Sequence, residues 1–377
     1  MRIGYISSYP PMECGIATYS AYLIDALRRK GVDIYVVSHM GASGEQVFPA
    51  FNENDLDDKA YTVALRFTPD IVHIQHEFGL YGPHWGVNIL PVIVKFRLIG
   101  VPVVTTLHTV YDKPQRNHLV LLENILANSD RIIVHQDYQL DTLHHHFPEH
   151  FTQKIEVIPH GARLVNPVVQ AKAKLGLPED RKVILLIGYF RPSKNFELIV
   201  DQMPRILRKY PNALLVIAGK IRNQEYSEYR NVLFERIRKS PVKDHIRVIL
   251  GQLSQDTFDT ILSAADVVVL PYRLSSQSGI LAHCLAFGRP VITSASRAMM
   301  QLIKESGAGV IVPSQDQFAE AIANLLGDDE QARRLGENAR EYVRRQLAWP
   351  LIADQHIHLY ERLRSYPDIG SQVMVVD

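Results

Sequence analysis

The sequence predicts an α/β protein of two doubly wound, Rossmann-like domains that face each other, with a C-terminal helix crossing their junction. The length of 377 residues exceeds the size at which one hydrophobic core usually keeps growing. Short runs rich in Ile and Val alternate with helical patterns, as expected of parallel strands covered on both faces. This alternation begins again after Lys182, which predicts a second sheet in the C-terminal half.

Short apolar runs bounded by turns are predicted as strands. In the N-terminal half they are 3–7, 33–37, 71–75, 103–107, 131–134 and 155–159. In the C-terminal half they are 183–188, 213–219, 246–250, 267–270, 291–293 and 309–312. Helices are predicted over 19–29 and 280–287, and a helical pattern covers about 329–364. Its apolar face holds Trp349, Ile352, Leu359, Tyr360 and Leu363. With a linker between Pro159 and Pro178, the predicted domains are 1–165 and 166–345, and residues 346–377 pack back on the first.

Composition narrows the class of protein further. The apolar fraction is 46%, and no uncharged apolar run has the length of about 18 residues that a membrane span needs. The chain opens directly on a strand pattern rather than a signal peptide, so we expect a cytoplasmic protein without a transmembrane segment. Cys14 and Cys284 are too far apart in sequence to suggest a disulfide framework or a thiolate metal site.

The charge distribution favours an anionic ligand in the C-terminal half. Residues 1–165 hold 13 Lys and Arg against 17 Asp and Glu, whereas the remainder holds 28 against 23. Scattered basic surface residues are the alternative explanation. The excess is too small to indicate nucleic-acid binding.

The turn after the first predicted strand holds a single glycine, Gly15, before a helix. A dinucleotide fingerprint would need closely spaced glycines here, so a nicotinamide-dependent enzyme is disfavoured. Gly15 could allow backbone amides to approach an anion, or it could be an ordinary turn residue.

The first strand of the C-terminal half leads into a turn with two cations. Gly188 ends the strand, and Arg191 and Lys194 precede a helix. Cations beside the positive end of a helix suit a diphosphate. A pair of solvated charges is the alternative.

A second turn, after the predicted strand 267–270, is rich in small residues. Ser278, Gly279 and Ile280 would offer successive backbone amides to phosphate oxygens at the start of a helix. The same run could be an ordinary helix cap.

The order of these motifs resembles glycosyltransferase family four, whose members have the GT-B fold and transfer sugars with retention of anomeric configuration. The resemblance is strongest over 188–195 and 275–290, and it covers nearly the whole chain. It implies that Arg191 and Lys194 neutralise the donor diphosphate and that the amides of residues 278–280 bind it. It also implies that the segment 251–253, which includes Leu253, packs on the nucleobase of the donor.

The chain departs from this family where two glutamates usually stand eight positions apart, because Ser275 and His283 occupy those positions. In the family these carboxylates contact the donor sugar and the ribose. His283 could hydrogen-bond a ribose hydroxyl, or it could be a structural histidine.

The N-terminal half contributes histidines at strand ends. His108 resembles the family histidine that reaches the donor sugar near the reacting carbon, although a structural role is the alternative. His76 and Glu77 could hold acceptor hydroxyls. His73 and His76 lack the spacing of a zinc site, and His144 to His146 with His150 are expected to form a solvated helix end, so no metal is predicted.

The resemblance implies a retaining hexosyltransferase with an N-terminal acceptor domain and a C-terminal donor domain. The catalytic candidates are His108, Arg191 and Lys194, the donor is of the GDP-mannose or UDP-glucose type, and no cofactor is expected. The acceptor is a saccharide or another hydroxyl compound, lipid-linked ones included. A nucleotide-sugar binding protein without transfer and a nucleotide-sugar epimerase remain alternatives, and a phosphorylase is weaker because no lysine is placed for pyridoxal phosphate. Oligomeric state stays open.

Overall fold

A computed structural model describes residues 1–52, 55–219, 226–251, 253–274 and 279–365. The chain forms two compact units. The first unit is Met1–Gly161 together with the residues from Trp349 onward, and the second unit is Ala162–Ala348. No helix within the described ranges combines the length and apolar character needed to cross a membrane.

The first unit is built on a seven-stranded parallel sheet of order β3-β2-β1-β4-β5-β6-β7. Its strands are β1 Arg2–Ile6, β2 Asp33–His39, β3 Val47–Phe51, β4 Ile71–His76, β5 Val103–Leu107, β6 Arg131–Val134 and β7 Ile155–Val157. Its helices before the chain leaves the unit are α1 Gly15–Arg29, α2 Leu56–Leu65, α3 Pro83–Gly86, α4 Ile89–Leu98, α5 Arg116–Asn128, α6 Asp137–His146 and α7 Glu149–Thr152. Successive strand residues pack into separate cores on the two faces of the sheet, because strand side chains alternate in direction.

The second unit repeats this plan with a six-stranded parallel sheet of order β10-β9-β8-β11-β12-β13. Its strands are β8 Lys182–Ile187, β9 Ala213–Gly219, β10 Ile246–Leu250, β11 Val267–Leu270, β12 Val291–Ser294 and β13 Gly309–Val312. Its helices are α8 Ala171–Lys174, α9 Phe196–Lys209, α10 Ser227–Lys239, α11 Gln255–Ala264, α12 Gly279–Ala286, α13 Arg297–Ser306, α14 Phe318–Leu326 and α15 Asp329–Tyr342. Apolar cores cover both faces of this sheet as well.

The helical pattern predicted over 329–364 is interrupted in the structure. After α15 a π-helical turn, Val343–Leu347, leads to Ala348, whose ψ of 132° ends the helical path. A new helix, α16 Trp349–Ser365, then begins with Pro350 in its first turn. Here the chain returns to the first unit, where α16 packs on α1.

All twelve predicted strands are present in the two sheets, which confirms the α/β fold class. The prediction missed β3, a five-residue edge strand that contains Pro49. Proline is tolerated on an edge strand because one side of such a strand needs no partner. The first helix also begins four residues before the predicted position, at Gly15 rather than Tyr19.

Candidate functional site

Glycines end three neighbouring strands of the second sheet. Gly188, which follows β8, has a φ of +139°, and Gly251, which follows β10, has a φ of +138°. A Cβ atom on Gly219, the last residue of β9, would lie 1.9 Å from the carbonyl oxygen of Gly188. These strand ends therefore depend on glycine. Leu253, beyond Gly251, is partly buried against the core of the unit.

The turn after β8 contains the two predicted cations. Arg191 is exposed at its start, and Lys194 closes the 3₁₀ turn Pro192–Lys194. The Nζ atom of Lys194 lies 3.5 Å from the ring centroid of Tyr272. Burial, together with the charge of Arg191, holds the pKa of Lys194 well below its usual value. In the described ranges no carboxylate lies within 4.0 Å of this amino group, so an anion is the partner that would best stabilise its charge.

Arg273 connects the turn after β11 to the turn after β8. Its backbone amide donates to the carbonyl of Ser193 at 3.0 Å. Its Nε donates to Oδ1 of Asn195 at 3.0 Å, and its Nη2 donates to Oε1 of Glu197 at 2.8 Å. Asn195 is buried in the left-handed conformation with a φ of +53°. These contacts fix the backbone that carries Lys194.

Glu197 receives a second donor from α10. The hydroxyl of Tyr229 donates to Oε2 of Glu197 at 2.6 Å and accepts from the amide of Phe196 at 3.1 Å. Burial and this carboxylate raise the pKa of Tyr229. Sequence reasoning missed Arg273, Glu197 and Tyr229. The available signal was the position of Arg273, which directly follows a strand end and precedes the small-residue turn.

The small-residue turn is described only from Gly279, the first residue of α12. The predicted contacts of Ser278 lie outside the described residues. Ser275, which stands where the family usually has a glutamate, also lies outside them. Ile280 is partly buried in the first turn of the helix. His283 lies one turn further along, with its ring 5.2 Å from that of Phe258 and nearly perpendicular to it. The structure thus places His283 against an aromatic ring of α11.

In the first unit, Gly15 is the exposed first residue of α1. A Cβ atom on it would meet no atom within 4 Å, so packing does not require a glycine here. The preceding Cys14 caps the helix, and its sulfur accepts from the amide of Ala17 at 3.2 Å. That Gly15 contacts the nucleotide-sugar donor stays a prediction.

His108 lies directly after β5 and is almost fully buried. The side-chain amide of Gln75 lies 2.8 Å from its Nε2, and Nε2 of His135 lies 3.2 Å from its Nδ1. Burial and the neighbouring histidines hold its pKa well below the usual range. The structure therefore occupies both ring nitrogens inside the first unit, and contact with a sugar would require one of these bonds to open.

The carbonyl of Ile158 sets the proton position on the ring of His135. It lies 2.9 Å from Nδ1 of His135, and a carbonyl can only accept, so this nitrogen carries the proton. Burial lowers the pKa of His135 to about 3, which keeps the ring neutral. Nε2 of His135 faces Nδ1 of His108 at 3.2 Å, and Nε2 of His108 lies 2.8 Å from Oε1 of Gln75.

This series of hydrogen bonds continues to the C-terminal helix. The side chain of Gln75 also lies 2.9 Å from Nε2 of His73, and the hydroxyl of Tyr360 on α16 lies 2.6 Å from Nδ1 of that ring. The amide nitrogen of Gln75 donates to Nε2 of His73, so the proton of this neutral ring lies on Nδ1, which donates to the hydroxyl of Tyr360. Hydrogen bonds thus link α16 to the ends of β4 and β5.

His76 and Glu77 occupy the carboxyl end of β4. His76 is fully buried, burial lowers its pKa to about 4, and neither ring nitrogen has a partner among the described residues. Glu77 accepts through Oε2 from the hydroxyl of Thr109 at 2.6 Å. The structure therefore joins the ends of β4 and β5 through Glu77.

The predicted histidine cluster of α6 lies apart from these groups. His144, His145, His146 and the neighbouring His150 are exposed at and beyond the end of the helix. Across the described ranges, no group of three or more His, Cys, Asp or Glu side chains is placed to hold a metal ion.

Each unit matches a glycosyltransferase family model. Residues 169–342 match the family described as Glycosyl transferases group 1, and residues 14–164 match the one described as Glycosyltransferase Family 4. A phosphatidyl-myo-inositol mannosyltransferase from Mycobacterium leprae is 23% identical over 398 residues, which cover 100% of both chains. The chain spans about half the length of two other curated relatives, 48% and 43%.

Solved structures share the fold. Sucrose-phosphate synthase from Thermosynechococcus elongatus has a TM-score of 0.78 at 21% identity, covering 96% of this chain and 99% of that one. HepE from Anabaena in complex with UDP has a TM-score of 0.77 at 13% identity, covering 96% of this chain and 100% of that one. At such identities the likeness establishes the fold alone.

Proposed function

Because this chain belongs to glycosyltransferase family four and has the GT-B fold, we propose that it is an enzyme that moves a hexose from a nucleotide-sugar to a hydroxyl acceptor. The donor is of the GDP-mannose or UDP-glucose type, and the transfer proceeds with retention. The acceptor is a saccharide or another hydroxyl compound. The observation that carries the proposal is the enclosed amino group of Lys194 beside Arg191, which has no carboxylate partner in the described ranges.

The proposed chemistry relies on electrostatic stabilisation of the leaving diphosphate. Negative charge grows on its oxygens as the bond to the sugar breaks. Lys194, Arg191 and the amides at the start of α12 would bind that charge in a partly enclosed site. Since these groups can supply the positive charge, we propose transfer without a metal or cofactor.

The first unit is proposed to bind the acceptor. His76 and Glu77 lie where polar side chains can reach ligands, at the carboxyl edge of a parallel sheet. We propose that His108 contacts the donor sugar from the adjacent strand end after its bond to Gln75 opens.

The second candidate is a nucleotide-sugar binding protein without transferase activity. It is favoured by one observation, since Ser275 and His283 replace the two usual glutamates. Donor binding without transfer to any acceptor would support it.

The test begins with a donor screen. UDP-, GDP- and ADP-hexoses are added separately, and the midpoint of thermal unfolding is measured, because a ligand that binds the folded state raises it. The stabilising donor is then incubated with a panel of saccharide and glycoside acceptors. A new glycoside with unchanged anomeric configuration supports the proposal. An altered free donor without any acceptor would identify an epimerase instead, and no stabilisation by any donor would contradict both.

A further inference from the structure

The loop between β4 and α4 is anchored to the sheet and folds back on itself. The buried hydroxyl of Tyr81 lies 2.8 Å from the carbonyl oxygen of Gln75 and 3.1 Å from that of Ile6. Gly86 has a φ of +77°, and a Cβ atom on it would lie 3.4 Å from the carbonyl oxygen of Glu77. The loop therefore holds a defined shape.

This shape places a tryptophan at the surface. His84 and Trp85 have φ values of +56° and +65°, a left-handed conformation that is strained for residues other than glycine. Trp85 nevertheless remains 41% exposed. The strained backbone holds a large part of this apolar ring in water, and strain of this kind occurs at ligand sites.

A buried hydrogen-bond donor lies beside this ring. The centroid of His118 is 4.7 Å from that of Trp85, and the two rings are nearly perpendicular. Nδ1 of His118 accepts from the amide of Gln115 at 3.2 Å, so the proton of the neutral ring lies on Nε2. His118 is only 5% exposed, and its Nε2 has no partner among the described residues.

An exposed aromatic face next to an unpaired donor matches the chemistry of a sugar ring. One face of a pyranose presents C–H groups that pack on an aromatic ring, and its oxygens accept hydrogen bonds. An acyl chain would cover Trp85 but leave Nε2 of His118 unpaired, which costs free energy in a buried site. The donor beside the ring therefore favours a saccharide over a lipid.

We propose that Trp85 and His118 form an acceptor subsite, in which a pyranose ring packs on Trp85 and one of its oxygens accepts from Nε2 of His118. The inference rests on the proposed transferase function and makes the acceptor a glycoside. Trp85 provides contact area, and His118 fixes the orientation of the ring.

Tryptophan emission provides a direct test. The chain has two tryptophans, and the other, Trp349, is buried, so the surface reporter is Trp85. The probes are methyl glycosides of glucose, mannose and galactose, with maltose and cellobiose, at up to about 50 mM to cover weak binding. We expect a saturable change in emission with at least one of them, absent in Trp85→Phe. Phospholipid vesicles without sugar serve as the comparison. A response to vesicles alone, or to no probe, overturns the proposal.

Kinetics separate this inference from the proposed function. In transfer assays, Trp85→Ala should lower kcat/KM for the acceptor about three- to tenfold, with the donor KM unchanged, and Trp85→Phe should restore most of the loss. Leu98→Ala is the matched control, because Leu98 is 79% exposed at the end of α4. A wild-type enzyme that transfers sugar while Trp85→Ala keeps its acceptor kinetics disproves the subsite alone. Saccharide binding without any transfer disproves the enzyme function and leaves the subsite.

Discussion

Two lysines near α9 differ in what surrounds their charges. Lys194 is enclosed against Tyr272, and burial and Arg191 lower its pKa. Lys209, in the last turn of the helix, is exposed and paired with Glu320 at 3.1 Å. An enclosed cation that has no carboxylate partner in the described ranges gains more from a bound anion than a solvated cation does. We therefore expect Lys194, but not Lys209, to contribute to binding of the nucleotide-sugar donor.

Lys194→Ala should reduce kcat/KM for the donor by at least about tenfold, or ~1.5 kcal/mol, the scale of a hydrogen bond to a charged group. Steady-state kinetics with the donor found in the thermal screen provide the measurement. Lys209→Ala is the control and should keep the wild-type value. Equal rates for Lys194→Ala and wild type would remove this lysine from the mechanism.

At the scale of elements, the last helix is held by close packing at the point where the chain re-enters the first unit. Trp349 begins α16, and a Cβ atom on Gly161 would lie 2.3 Å from its ring. Trp349 also contacts the rings of Tyr19 and Tyr22 on α1. Only a glycine at position 161 allows the ring to come this close. The residue at which the chain leaves the first unit therefore packs against the residue at which it returns.

Gly161→Ala should destabilise the first unit by about 1–3 kcal/mol, because the added methyl group overlaps a buried ring. Urea unfolding followed by tryptophan emission measures the change. Gly79→Ala is the control, since a Cβ atom there would meet nothing within 4 Å. In a Trp349→Leu background the cost of Gly161→Ala should shrink, and an undiminished cost would show that the ring is not its cause.

At the scale of the whole molecule, the two units differ in their buried histidines. In the described part of the chain, every fully buried histidine belongs to the first unit. Burial lowers the pKa of His76 and His356 to about 4 and that of His135 to about 3. The ordinary value in an unfolded chain is about 6.5. Below that pH the unfolded chain binds protons that the folded unit does not.

Lowering the pH from 7.5 to 5 should therefore destabilise the first unit. Stability is full above about pH 6.5 and falls as the pH decreases toward 4, by about 1.4 kcal/mol per pH unit for each such histidine. At pH 5 each would cost about 2 kcal/mol. Both tryptophans, Trp85 and Trp349, lie in the first unit, so urea unfolding followed by their emission reports on it. An unchanged midpoint at pH 5 would contradict this account.

The sequence by itself determined the fold class and the position of the cationic turn. Parallel strands covered on both faces are mainly apolar, so each of the twelve predicted strands was visible as a local run. Gly188, Arg191 and Lys194 were found because a site at a strand end is encoded by neighbours in sequence. Their roles in catalysis stay predictions.

Only the tertiary structure decided which distant side chains meet. Arg273 reaches Glu197 across 76 positions, and Tyr360 reaches His73 across 287. Such partners leave no local pattern, because their proximity comes from strand order and helix packing. The edge strand β3 was missed for a related reason. Its five residues include a proline, and only pairing with β2 defines it as a strand. The hydrogen bonds that occupy both ring nitrogens of His108 likewise follow from packing rather than from local sequence.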